Sequence, residues 1–162
     1  MVESESPEYF IRLALEEAGR AARRGEVPVG ALVVRGRRIL GRGRNMTVRG
    51  SDPTAHAEIV AIRKACRKVN NYRLTGCDLY VTLEPCAMCL GAAVQARIER
   101  IFYGAPDSKA GAVESVLSFP FERLNHRIEI RGGILAPECS IILKDFFASK
   151  RRGARAERWP SG

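Results

Sequence analysis

The chain has 162 residues, of which 46% are hydrophobic and 28% charged, enough to bury the core of a single domain of ordinary size. The acidic, polar start at Met1 to Ser6 excludes a secretory signal, and no apolar run reaches the length of a membrane span, so a soluble cytoplasmic protein is expected. The formal net charge of +9 suits a phosphate-rich partner, simple solubility being the plainer reading.

The predicted elements alternate between helix and strand. Ser6 and Pro7 form an N-cap and first-turn pair, after which Phe10, Ile11, Ala14, Leu15, Ala18 and Ala21 share a helical face as far as Gly25. Val29 to Val34 is a continuous apolar strand, Arg35 to Arg38 a turn, and Ile39 to Gly41 a returning strand. Asp52, Pro53 and Thr54 are expected to open a second helix carried by Ile59, Val60, Ile62, Cys66 and Val69. Leu79 to Leu83 is a third strand, and Pro85 is expected to start a third helix reaching about Ala96. Ile101 to Tyr103 is a fourth strand and Arg127 to Ile130 a fifth. A last helix begins near Pro137, with Ile141, Ile142, Phe146 and Phe147 on its apolar side and Asp145 toward solvent. This order predicts an α/β domain with a covered sheet. The domain is expected over residues 1–152, with a basic, disordered tail over 153–162. Lys150, Arg151 and Arg152 continue the last helix as candidate RNA contacts, or the whole end is a solvated terminus.

Five cysteines, two of them in a Cys-x-x-Cys pair, read as metal or redox chemistry rather than a disulfide framework. Cys66, Cys77 and Cys139 are expected as buried free thiols. His56-Ala57-Glu58 and Glu84-Pro85-Cys86-Ala87-Met88-Cys89 each open a helix. Cys86 and Cys89 are three residues apart, share a helical face and sit at a helix start that favours thiolate. Thiolate and imidazole are ligands that zinc prefers. His56, Cys86 and Cys89 supply three of them, leaving one tetrahedral position for a water whose pKa zinc lowers to about 7. Glu58 is placed to take the water's proton and pass it on. His-x-Glu followed by Pro-Cys-x-x-Cys is the pattern of zinc deaminases. Two other readings stay open. One is a free-base deaminase acting on guanine or cytosine; the other is a non-catalytic zinc module that binds RNA. A Cys-x-x-Cys redox protein is weaker still, because His56 stands at a ligand position.

Over most of its length the sequence resembles the bacterial tRNA-specific adenosine deaminases of the cytidine deaminase-like superfamily. The likeness includes Glu26 to Ala31, Asn45, Asp52 to Glu58, Asn71 to Leu74, Leu79 to Cys89, Tyr103 to Ala105, Asn125 to Arg127 and Gly133 to Leu135. It implies a three-layer α/β/α sandwich around a five-stranded mixed sheet, a homodimer, and one zinc per chain. The implied reaction is deamination of adenosine to inosine at the wobble position of a tRNA anticodon. In it, zinc-bound hydroxide attacks C6 and Glu58 shuttles the protons. By the same resemblance Asn45 contacts the flipped base. Asp107, Lys109, Asn125 and His126 lie near the anticodon loop. Apart from the resemblance, backbone N–H groups near Ala57 and Cys86, at helix starts, are expected to orient the substrate. Plainer readings stand beside these: Asn45 bridging a turn, Asp107 and Lys109 as an exposed loop pair, and His126 as a core-edge histidine.

Overall fold

A computed structural model describes residues 6–158, with side chains through residue 154. Its elements are α1 (Pro7–Arg23), β1 (Gly30–Arg35), β2 (Arg38–Arg44), α2 (Ala57–Val69), β3 (Asp78–Leu83) and α3 (Ala87–Gln95). They continue with β4 (Arg100–Ala105), a 3-10 turn (Phe121–Arg123), β5 (Glu129–Arg131) and α4 (Ala136–Arg158). The strands form one five-stranded sheet in the order β2-β1-β3-β4-β5. β1 runs antiparallel to β2 and β3, whereas β3, β4 and β5 are parallel, so the sheet is mixed.

Alternate strand residues point to opposite faces. Ala31, Val33, Leu79 and Val81 pack on one side with Ala57, Ala61 and Ile62 of α2 and Leu90 and Ala93 of α3. Leu32, Val34, Tyr80 and Phe102 pack on the other with Phe10, Ile11 and Ala14 of α1 and Cys139 of α4. The result is the three-layer sandwich that the resemblance implies. No helix among the described residues is long and apolar enough to cross a membrane.

Strand direction gathers the site at one end of the sheet. Gly30 pairs with Arg44, its N–H donates to Thr82 Oγ1 at 3.2 Å, and Leu83 pairs with Ala105. The start of β1, the end of β2 and the ends of β3 and β4 therefore lie together. α2 is seated directly on β2. A Cβ added to Gly43 would lie 2.1 Å from the Ala57 carbonyl oxygen, so only glycine admits the first turn of α2 there.

The structure corrects several expected boundaries. α2 starts at Ala57 rather than at Asp52. Asp52 Oδ1 instead accepts the Thr54 N–H at 2.9 Å and its hydroxyl at 2.7 Å, closing a turn that competes with helix. α3 starts at Ala87, two residues past Pro85, because Cys86 is an extended N-cap. β5 is Glu129–Arg131, shifted past Arg127. Ile141 is 57% exposed, since α4 reaches the core through Cys139 rather than through that side. Cys66 is half-buried, whereas Cys77 and Cys139 are buried. α4 continues through Gly153, the expected start of the tail, to Arg158; alanine and arginine there are strong helix formers. Residues 159–162 lie outside the described residues.

Candidate active site

His56 and Cys86 occupy equivalent positions on two helices. Each is an N-cap with extended backbone, His56 at φ −69°, ψ 153° and Cys86 at φ −80°, ψ 172°. Neither side chain caps its own helix, so both are free to turn toward a common point. Cys89, fully buried one turn along α3, faces the same point. His56 Nδ1 lies 3.6 Å from Cys86 Sγ and 3.5 Å from Cys89 Sγ. The three ligand atoms all fall within 4.8 Å of one another.

These separations suit zinc. Zinc–sulfur and zinc–nitrogen bonds of about 2.3 and 2.0 Å at tetrahedral angles put S and N roughly 3.5 Å apart. The donor chemistry agrees. The Cys86 thiol is lowered to about 4, first because the Cys89 thiol donates to its thiolate and further because His56 does. That same bond, together with burial, pushes the Cys89 thiol up. Cys86 is thus the thiol whose thiolate is favoured, and a divalent cation between the sulfurs would favour the second. His56 is raised, chiefly by its bond to Cys86.

Glu58 sits in the first turn of α2, 4% exposed. Burial pushes its carboxyl up, against a smaller opposing pull from the Cys89 hydrogen bond. It shares with His56 and Cys86 a small cavity of about 170 Å³, well below the roughly 300–1,000 Å³ of a drug-sized pocket. Val27, Val29, Leu83 and Ala110 supply apolar wall, and Asn45, Glu84 and Asp107 add polar groups.

Of the remaining sequence-predicted residues, Asn45 and Asp107 reach this cavity. Asn45 follows β2, and its N–H donates to Val29 O at 3.2 Å. Asp107 Oδ1 accepts the N–H groups of Lys109 at 3.0 Å and Ala110 at 3.3 Å, so its carboxylate also shapes the loop. Ala57 is the buried first residue of α2. Lys109, Asn125 and His126 are not among the lining residues. The Lys109 ammonium lies 5.6 Å from the Phe147 ring centre on α4, and Asn125 is exposed. His126 Nε2 donates to Ile98 O at 2.7 Å. Lys150, Arg151 and Arg152 are exposed on α4.

Sequence reasoning missed Glu84 as the organiser of this rim. It is 2% exposed, at the end of β3. Its Oε2 accepts the N–H groups of Val113, Glu114 and Ser115, each at 3.1 Å. Its Oε1 accepts the Asp107 N–H at 3.2 Å and the Ser115 hydroxyl. Burial alone would raise this carboxyl; the hydrogen bonds from Ser115, Glu114 and Asp107 outweigh it and hold it below the usual range. A Cβ on Gly111 would lie 2.4 Å from Glu84 Oε2, so the loop wraps closely around the carboxylate. Glu26, 2% exposed, does the same for the turn that follows β2, accepting the N–H groups of Val48 at 3.2 Å and Arg49 at 2.7 Å. The available signal was a glutamate at a strand end or after a glycine, where a buried charge needs several donors.

The profile of the MafB19-like deaminase family matches residues 5–151. The chain belongs to this deaminase family. The deaminase is 46% identical over 159 residues to the tRNA-specific adenosine deaminase of Haemophilus influenzae, covering 97% of this chain and 92% of that one. It is 48% identical over 145 residues to the tRNA-specific adenosine deaminase of Aquifex aeolicus, covering 89% and 95% respectively. Among solved structures, one from a study of A-to-I editing by tRNA:A34 deaminases matches with a TM-score of 0.80 and 47% identity, over 83% of this chain and 99% of that one. A guanine deaminase from Bacillus subtilis matches with a TM-score of 0.59 and 34% identity, over 73% and 86%.

Proposed function

We propose that the protein deaminates adenosine to inosine at the wobble position of a tRNA anticodon, using one zinc held by His56, Cys86 and Cys89. The observation that carries the reading is the convergence of those three ligand atoms, with His56, Cys86 and buried Glu58 lining one small cavity. The substrate assignment draws on relatives named tRNA-specific adenosine deaminases at 46% and 48% identity, against 34% for the guanine deaminase.

When bound, zinc supplies Lewis acidity that makes water a nucleophile at neutral pH. The chain's own residues do the rest. Glu58 takes a proton from the attacking water and delivers it to N1 of the adenine. Attack forms the C6–O bond; Glu58 then takes the second proton from that oxygen and passes it to the leaving amine, so that the C6–N bond breaks and ammonia departs. Burial of Glu58 supports this role, because desolvation raises its carboxyl above the ordinary carboxylate range and so eases uptake of a proton. Asn45 orients the base from the β2 side, and the loop held by Glu84 carries Asp107 to the opposite rim. Val27, Val29 and Leu83 keep bulk water from the reacting face. In the same reading, Lys109, Asn125 and His126 meet RNA outside the cavity, as do Lys150 to Arg152, and the Ala57 backbone orients the substrate. Two copies pair through the apolar helix α3, where Met88 stays 37% exposed. The cytoplasmic setting belongs to this proposal as well.

The test offers tRNA, guanine and cytosine separately to the purified protein and measures inosine, xanthine and uracil. Inosine in tRNA, abolished by a chelator and restored by zinc, is the expected result. Xanthine or uracil without inosine would replace the reading with a free-base deaminase. tRNA binding without ammonia release would make it a binding module.

A further inference from the structure

We propose that Arg20, Arg23, Arg24 and Arg44 form a phosphate-binding recess that holds the tRNA backbone outside the anticodon loop, an inference resting on tRNA being the substrate.

The four guanidinium side chains line one surface recess of about 420 Å³ between the end of α1 and the end of β2. A carboxylate sits beneath them. Glu17, 3% exposed, takes Arg20 at 2.5 Å and Arg44 at 3.3 Å. Two of the cations are thereby fixed in place from below. Arg23 and Arg24 are exposed and have no ion-pair partner among the described residues. The recess itself sets four guanidinium groups over one carboxylate, and Glu16 lies on the adjoining surface beside Arg20 and Arg23.

Structural needs account for only part of this. Basic residues in the last turn of α1 complement the helix dipole, but that partial charge amounts to about half a unit and is satisfied by one cation. Arg44 lies on a strand and has no such role. Four guanidinium groups over a single carboxylate leave a net positive recess that favours a further anion. Their planar forks match the oxygens of phosphate.

The recess is joined to the candidate active site through the chain. Arg44 immediately precedes Asn45, and Arg24 stands three residues before Val27; Asn45 and Val27 both line the cavity. Arg44 also pairs with Gly30 at the same end of the sheet. Its side chain turns to Glu17 on the α1 face, whereas the neighbouring Gly43 packs against α2. The recess therefore opens on the α1 face at the same end of the sheet as the cavity, within reach of the backbone that flanks a bound base. This is a contact to the sugar-phosphate chain and carries no sequence preference.

The test compares the full-length wild-type chain, Arg23→Ala/Arg24→Ala and Arg23→Lys/Arg24→Lys. Both positions are exposed, and the Glu17 pairs stay intact. The readouts are affinity and KM for a whole tRNA and for a single-stranded oligoribonucleotide carrying the loop sequence alone, each across a salt series. For the alanine pair, tRNA affinity falls on the order of tenfold, and the slope of log affinity on log salt shrinks by about 1.5. The ratio of tRNA to loop-only affinity falls with it, the loss appears in KM, and the lysine pair restores the slope. An unchanged slope and ratio in the alanine pair, with inosine still formed by the wild type, overturns the recess alone. A wild type that makes no inosine but whose tRNA salt slope still drops on mutation keeps the recess and overturns the assigned reaction. A wild type that neither binds nor modifies tRNA overturns both.

Discussion

Replacing Glu84 with glutamine tests whether this carboxylate builds the rim of the site. It accepts three N–H groups on Oε2, one on Oε1, and the Ser115 hydroxyl. The amide nitrogen of glutamine is best placed where Oε1 was, because the Ser115 hydroxyl can turn round and accept from it. The Asp107 N–H then faces a donor and is orphaned, at a cost of about 1–3 kcal/mol. The bonds from Val113, Glu114 and Ser115 survive but lose their charge assistance, which roughly halves each. Relief of burying a charge offsets part of this, leaving a net loss of about 3 kcal/mol. For a chain of 162 residues that lowers Tm by roughly 6–12 °C. Thermal unfolding followed by circular dichroism measures the shift, and hydrogen exchange reports the amides of residues 107 and 113–115. The exposed Glu122→Gln serves as the control and should move stability by less than about 0.5 kcal/mol. A Glu84→Gln variant within that same margin, with amide protection unchanged, would refute the reasoning.

Other outcomes follow from the same geometry. Glu58→Ala keeps one zinc per chain while kcat/KM falls by about 10²–10⁴-fold, read from metal analysis and inosine formation on one preparation; unimpaired turnover removes Glu58 from the reaction. Cys86→Ser lowers zinc stoichiometry and activity together, since it removes the ligand whose thiolate is easiest to form. Gly43→Ala drives a methyl into the Ala57 carbonyl and displaces the helix start that carries His56 and Glu58. It should cost about 1–3 kcal/mol and weaken zinc binding, measured by unfolding and by competition with a chelator. Arg100→Ala removes the pair with Asp78 at 2.6 Å, but this arginine is half exposed and the loss stays below about 1 kcal/mol.

The candidate metal ligands were legible in the sequence because their chemistry is carried by residue type and spacing. His56 and Cys86 needed only a helix start each, and the error of a few residues in where α2 begins did not matter. The correct boundary explains more than the expected one did. With Ala57 as the first helical residue, His56 is an N-cap whose side chain leaves the helix axis, and Glu58 still reaches the cavity from the first turn. Asn45 and Asp107 entered through family resemblance, and both reach the cavity. The roles of Glu84, Glu26 and Glu17 were illegible for a physical reason. Each is a charge that looks solvated in one dimension, and apart from Arg20 beside Glu17 only the fold brings their donors across 22 to 31 residues. Gly41 likewise reads as an ordinary strand residue and Gly43 falls past the expected strand, although the seat of α2 depends on their missing side chains.

The central claim is tested most directly by titrating the metal-free protein with zinc and mapping inosine in total tRNA at each step. The account predicts that inosine appears at the anticodon wobble adenosine alone and that its rate rises until one zinc per chain is bound. Inosine formation indifferent to zinc, or none at that position in zinc-loaded protein, would contradict it.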